Sequence, residues 1–203
     1  MILVLGGGDV AVDVARVARR LGQPDVQIAC LESKEAMPAH SWLVEEDYPC
    51  AQRHLADGLR IAQELNDIVS LALANLWLGT VFSWNCEYEK ASYHLRKASD
   101  IYTAAHNLWG IATIKSWMAG FVYNWQGKIN LGFKESSEAL HIAEESGDIL
   151  SKAWAYAFHG HSFYCKGYLG EAEEYLVKGI NLCQSINEPA TQGGFCFFLG
   201  DTY

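Results

Sequence analysis

Two patterns of apolar and polar positions divide the chain. Before Glu46 the apolar runs are short. Ile2 to Leu5 is a continuous stretch of strand type, Val14, Val17, Ala18 and Leu21 share one helical face, and Val26 to Leu31 forms a second stretch. From Tyr48 onward the spacing is helical, starting with Leu55, Leu59, Ala62 and Leu65 on one face. Breaker residues cut this part into predicted helices over 48–65, 68–84, 88–105, 108–125, 129–146, 149–165, 168–186 and 189–203.

The breakers keep time. Gly79, Gly120, Gly160 and Gly200 follow one another at steps of 41, 40 and 40 residues. Asn66, Asn107, Gly147 and Asn187 each stand 13 residues before one of these glycines, and Ala91, Gly132 and Ala172 stand 12 after the first three. Locked registers of this length mean one supersecondary unit stacked on copies of itself. Asn66, Asn107, Gly147 and Asn187 suit the left-handed backbone that ends a helix. Asp67, Asp148 and Glu188 suit the start of the next one. Seven residues past the slot glycines come Cys86, Gly127 and Gly167. Each unit is therefore helix A, a tight turn, helix B and another tight turn. A glycine inside helix A costs about 1 kcal/mol against alanine. The expectation is that helix B crosses there and needs the missing side chain for close approach.

The segments CEYEKA (86–91), GKINLG (127–132) and GYLGEA (167–172) resemble the turn and first residues of helix B in tetratricopeptide repeats. The slot glycines, with Phe82, Tyr123 and Phe163 three residues later, resemble the helix A signature of that family. The usual period is about 34. The 40-residue variant is similar to the arrays of large bacterial signalling ATPases, cyclase-linked proteins and transcription regulators. The resemblance implies an α–α solenoid and a module that holds protein or peptide.

The opening segment differs. A strand, Gly6-Gly7-Gly8-Asp9-Val10-Ala11, a helix and a second strand ending at Glu32 follow one another. In this context G-x-G-x-x-A is a dinucleotide-binding pattern: glycines let a pyrophosphate approach the backbone, and the helix N-terminus favours its charge. GGGDVAVDVARVARRLG with CLESKEAMPAHSWLVEE resembles the nicotinamide-nucleotide domain of the flavoprotein family containing the glutamate synthase small subunit. That resemblance implies that Gly6, Gly8 and Ala11 line NAD(P), with Glu32 or its neighbours at the ribose. With Glu32-Ser33 where many members carry arginines, NAD is favoured or the preference stays open. The resemblance stops near Glu46, and two strands with one helix cannot bury both faces of a sheet. The expected architecture is thus mainly α, a solenoid of tetratricopeptide-like pairs over 47–203 behind a short βαβ Rossmann-type fragment over 1–46. The solenoid would comprise one helix B, three A/B pairs and a last helix A.

Charge and chemistry narrow the function. The net charge of −9 is spread over both parts, which disfavours nucleic acid and anionic membrane as partners. Six cysteines without C-x-x-C pairing, and no leader peptide, predict reduced, mostly buried thiols in a cytoplasmic protein. If helix A lines the concave face, as in the family, Leu76 and Thr80, Trp117 and Phe121, and Ala157 and His161 point into the groove. Ile114, Trp154, Ser83, Asn124 and Tyr164 flank them. Such an aromatic groove suits an apolar or extended peptide, whereas an aromatic stripe at helical spacing also suits core between stacked helices. Trp84, Trp125 and Cys165 share one slot, which argues packing. His159 and His161 diverge on their helix, His54 and His94 recur in successive helices B, and Glu144, Glu145, Glu171, Glu173 and Glu174 read as solvated faces. No nucleophile–base pair emerges from the spacing and no metal or catalytic residue is expected. The last helix, rich in Phe195, Cys196, Phe197, Phe198 and Leu199, is expected to be either exposed and frayed or covered by another chain, which allows self-association. The expected function is a non-catalytic interaction scaffold within a larger signalling protein. The alternative is the nucleotide-binding fragment of an FAD/NAD(P)-dependent oxidoreductase.

Overall fold

The computed structural model describes the backbone of residues 2–5 and 26–29 together with residues 48–203, the side chains of Pro49 and Ala190 apart. The protein is mainly helical. It divides into two compact units, Met1–Arg53 and His54–Tyr203, and the division falls seven residues beyond the sequence boundary at Glu46.

In the first unit, β1 (Ile2–Leu5) and β2 (Val26–Ala29) pair in parallel, with Ile2 opposite Val26 and Leu5 opposite Ala29. The glycine turn, the helix expected after it and Glu32 lie outside the described residues.

The remaining described elements are helices. They are α1 (Tyr48–Glu64), α2 (Ile68–Trp84), α3 (Tyr88–Ala104), α4 (Leu108–Trp117) continuing as a π-helix (Met118–Asn124), α5 (Ile129–Ser146), α6 (Ile149–Cys165), α7 (Leu169–Ser185) and α8 (Pro189–Gly200). Helices A are α2, α4 with its π-helix, α6 and α8. Each of the first three packs most extensively on the helix B that follows it, α3, α5 and α7. Repeats 1, 2 and 3 below are these three pairs.

The turns between helices are built alike. Asn66, Cys86, His106, Gly127, Gly147, Gly167 and Asn187 all have left-handed φ, between 51° and 83°. After six of them the next amide reaches back over the turn, as Asp67 N to Ala62 O at 2.9 Å and Glu87 N to Phe82 O at 2.8 Å, which satisfies a carbonyl at the helix end. Helices A start on caps: the Asp67 carboxylate accepts from the amides of Val69 and Ser70, Asn107 from Gly110 and Asp148 from Ser151. Glu188 makes no such side-chain bond, and Pro189 at the first helical position needs no amide partner.

Asn107 is thus a start and not a stop. His106 is the left-handed residue, one position earlier than the glycine register implied. Left-handed residues recur every 20 positions except between His106 and Gly127, which are 21 apart. The extra residue sits in helix A of repeat 2, where the backbone widens into the π-helix, the usual way a helix absorbs an insertion.

This shift changes what the slot glycines do. A Cβ on Gly79 would meet Leu95 Cγ at 2.5 Å, and one on Gly160 would meet Leu176 Cγ at 2.9 Å, so helix B does cross closely there. A Cβ on Gly120 would instead land in the ring of Phe158, from the next helix A, and around Gly200 there is open space. Close approach by helix B therefore explains two of the four glycines. Around these crossings Ala91, Ala98, Ala139, Ala143, Ala153 and Ala172 are fully buried, and small side chains let the helices lie close.

Candidate functional site

The helix A face is built from one recurring position. Trp77, Trp117, Phe158 and Phe198 each stand 11 residues after a left-handed turn residue (Asn66, His106, Gly147 and Asn187). Only the insertion makes this visible, because upstream of it Trp117 aligns with Trp77 and not with Leu76. The rings touch across helices. Trp77 meets Trp117 edge-on at 5.7 Å, Trp117 meets Trp154 at 5.5 Å and Trp154 meets Phe195 at 5.0 Å. A second line runs from Trp84 through Phe121 to Phe158 and Phe198 at 6.1, 4.8 and 5.9 Å. Edge-to-face pairs of this kind add about 0.5–1.5 kcal/mol each beyond burial.

The expected groove residues separate by depth. Leu76, Ile114 and Ala157 are core, Ser83 is fully buried, and Thr80 is buried with its hydroxyl donating to Leu76 O, so these five face the interior. Trp117 is only 7% exposed, and its indole Nε1 finds no acceptor among the described residues. Phe121, Trp154 and Tyr164 are half-buried on the face. Asn124 and His161 are buried below it. The open rings are Trp77, 46% exposed, and Trp125, 41% exposed. Sequence reading missed Trp77 as a face residue, and the 40-residue spacing from Trp77 to Trp117 was the available signal.

Among the described residues, histidines take part in three polar bridges between neighbouring helices. Asn75 Oδ1 contacts His94 Nδ1 at 3.0 Å, joining α2 and α3. Ser136 Oγ contacts His159 Nδ1 at 2.9 Å, joining α5 and α6. The Asn124 amide lies 3.0 Å from Ser162 Oγ and 3.4 Å from His161 Nδ1, joining the π-helix to α6. His159 and His161 thus serve opposite neighbours. Burial pushes both histidines down to about 4 and lowers His94 too, so all three are neutral at neutral pH. On its other side His161 faces a thiol: Nε2 lies 3.7 Å from Cys165 Sγ, four residues on along α6. Burial raises the Cys165 thiol above its ordinary value. A protonated thiol beside a neutral imidazole is no activated nucleophile. Sequence reading found no cysteine–histidine pair, although the four-residue spacing was the signal.

Among the described cysteines only Cys183 is buried, Cys50 and Cys165 are intermediate, and Cys86 and Cys196 are exposed, against the expectation of mostly buried thiols. All five are unbridged. Glu144 is not simply solvated: it accepts from Tyr156 at 2.7 Å and pairs with Lys152 at 3.0 Å, and these bonds lower its carboxyl. Lys115 bridges helix A to helix B of repeat 2, 2.9 Å from Glu135 and 2.7 Å from Glu138.

Gly6, Gly8, Ala11 and Glu32, expected at a dinucleotide, lie outside the described residues. No group of three or more metal-ligating side chains occurs among the described residues. No described helix is long and apolar enough to cross a membrane. No protein-family model matches the chain, and no curated protein matches it.

Proposed function

We propose that the helical unit is a non-catalytic interaction module of the tetratricopeptide kind, which holds an extended peptide with apolar side chains on its helix A face. The observation that carries this reading is the aromatic position shared by all four helices A, open at Trp77 and closed at Phe158. Repeated rings on one face supply rigid apolar contact area at low entropic cost. The Trp117 indole N–H, buried without an acceptor among the described residues, would gain one from a peptide carbonyl. A net charge of −9 argues against an acidic ligand. The same reading expects the cytoplasm and allows a second copy as partner, through Phe197, which is 43% exposed on α8.

The test is selection from a displayed library of extended peptides on the full chain. The expected result is enrichment of apolar and aromatic sequences, with affinity falling at least tenfold in Trp77→Ala and in the pair Trp117→Ala, Phe121→Ala. Enrichment of acidic sequences, or binding indifferent to Trp77, defeats the reading.

A second reading has one specific support. The parallel pairing of β1 with β2 is what a strand–helix–strand crossover requires. On it, Gly6, Gly8 and Ala11 would line a nicotinamide dinucleotide and Glu32 its ribose. Titration with NAD and NADP, followed by intrinsic fluorescence, tests this. Binding tighter than about millimolar that Gly8→Asp abolishes supports it.

A further inference from the structure

The helices A are almost without charge. α2, the π-helix and α8 contain no charged residue, α4 contributes Lys115, and α6 contributes Lys152 beside its two neutral histidines. Both lysines are taken up by α5: Lys115 pairs with Glu135 and Glu138, and Lys152 pairs with Glu144. The hydroxyls are turned inward as well. Thr80, Ser83, Ser116 and Ser162 are buried, and each donates to the carbonyl four residues back in its own helix.

Four buried polar atoms have no partner among the described residues. The one within the aromatic row is a donor, Trp117 Nε1, and the Thr113 hydroxyl one turn earlier can donate too. The carbonyl-type acceptors lie elsewhere. Asn124 Oδ1 faces Gly132 of α5, where a Cβ would meet it at 2.0 Å, and Gln126 lines a recess at the turn with Cys86 and Lys128. A ligand on the row therefore meets rings and a donor, and among the described helix A residues no free charge.

Building on the reading of this face as a peptide site, we propose that its ligand is a proline-rich segment in the polyproline II conformation, with prolines against the rings around Trp77 and Trp117 and a backbone carbonyl accepting from Trp117 Nε1. An ordinary extended peptide carries an N–H at every residue. On an apolar face without acceptors each such group loses water and gains no partner, which weakens binding by about five- to a hundredfold. Proline has no N–H to desolvate. A docked helix satisfies its N–H groups internally, but its carbonyls are engaged too and leave the Trp117 N–H unpaired. A polyproline II segment has no internal hydrogen bonds, so its carbonyls are free to accept, and its shape is set before binding. The rings suit it as well. Trp117 meets Trp77 and Trp154 at interplanar angles of 66° and 67°, so ring faces alternate with ring edges along the row, the kind of aromatic lining that proline rings dock against. Trp77, the open ring edge-on to Trp117, is the one that turns aside to let the carbonyl reach Nε1.

The experiment titrates capped, fluorescently labelled peptides into the full chain and follows anisotropy. The peptides are repeated Pro-Pro-Leu, the same sequence with N-methylalanine for proline, and the same with alanine for proline. The expected result is that the proline and N-methylalanine peptides, both lacking the N–H, bind at least about tenfold tighter than the alanine peptide. Trp117→Phe, which keeps a ring and removes the donor, should weaken the proline peptide by about three- to tenfold, and Trp77→Ala by at least about tenfold. An alanine peptide that binds as tightly as the proline peptide, and loses affinity in Trp77→Ala, overturns the proline preference and leaves the peptide site standing. An unchanged affinity of the proline peptide in Trp117→Phe overturns the carbonyl contact. Binding of none of the peptides, or binding indifferent to Trp77, overturns the preference and the peptide site together.

Discussion

Repeats 2 and 3 share a plan and differ by one residue. Helix A of repeat 3 is an unbroken α-helix of 17 residues, Ile149–Cys165. Helix A of repeat 2 covers the same count but opens into a π-helix from Met118 to Asn124. An extra residue turns everything after it by about 100° relative to a regular helix. Before the bulge, Trp117 matches Phe158. Inside it, Gly120 looks toward the next helix A and not toward its own helix B. Beside it in the same π-helix, Phe121 touches Trp84, Trp117, Trp125 and Phe158 at 4.8 to 6.1 Å and ties the aromatic lines together. A repeat with one insertion thus keeps its outline and changes its inner face. Repeat 3, without the insertion, spends the corresponding places on histidine and serine hydrogen bonds.

The largest effect should come from acid acting on repeat 3. His159 and His161 have folded values near 4, below the ordinary 6.5, so the native state holds fewer protons. Their contribution is full above pH 6.5 and is lost as pH falls from 6.5 toward 4. A shift of this size is worth up to about 3 kcal/mol per group. Among the described residues no carboxylate touches either ring. His159 meets Ser136, Phe133, Phe163 and Tyr175, and His161 meets Asn124, Cys165, Tyr164 and Phe198. Urea midpoints measured from pH 7.5 to 4.5 should fall steeply, and putting the repeat 2 residues in place, His159→Met with His161→Phe, should flatten the curve. An unchanged slope in that variant would show that the histidines are not the titrating groups.

Next in size is the difference between slot glycines. Gly120→Ala should cost about 3 kcal/mol, because its Cβ falls in the ring of Phe158, which is itself fully buried. Gly79→Ala and Gly160→Ala should cost about 1 kcal/mol net, since overpacking against Leu95 or Leu176 is partly offset by better helix propensity. Equal losses at all three would mean that Gly120 faces helix B after all. Thermal unfolding of the three variants measures this.

The comparison also explains which features the sequence made legible. Predicted helices over 68–84, 129–146 and 149–165 coincide with α2, α5 and α6, because Asp67 and Asp148 cap two of them and the turns are marked by residues tolerant of left-handed backbone. The step of 41 between Gly79 and Gly120 announced an insertion but not its place. The glycine register assigned it upstream of Asn107, and the backbone absorbs it downstream of Trp117. That misplacement aligned Trp117 with Leu76 and hid Trp77. Depth was illegible for a different reason. Thr80 and His161 occupy matching places in helices A, and only the neighbouring helix decides that one bonds back to Leu76 O while the other faces Cys165.

The smallest effect isolates backbone from packing. At the turn after helix B, repeat 1 uses His106 with φ 52° and repeat 2 uses Gly147 with φ 71°. His106 is exposed, and a Cβ on Gly147 would have open space around it. Side-chain contacts therefore contribute nothing to the contrast, and left-handed strain remains, about 1 kcal/mol for a residue with a Cβ. His106→Gly should stabilise by about 0.5 kcal/mol after the extra chain entropy of glycine is subtracted. Gly147→Ala should destabilise by about 1 kcal/mol. Opposite signs in urea denaturation are the expected result. If both variants lose stability, the imidazole of His106 holds something that its exposure conceals, and the turns of repeats 1 and 2 are not equivalent.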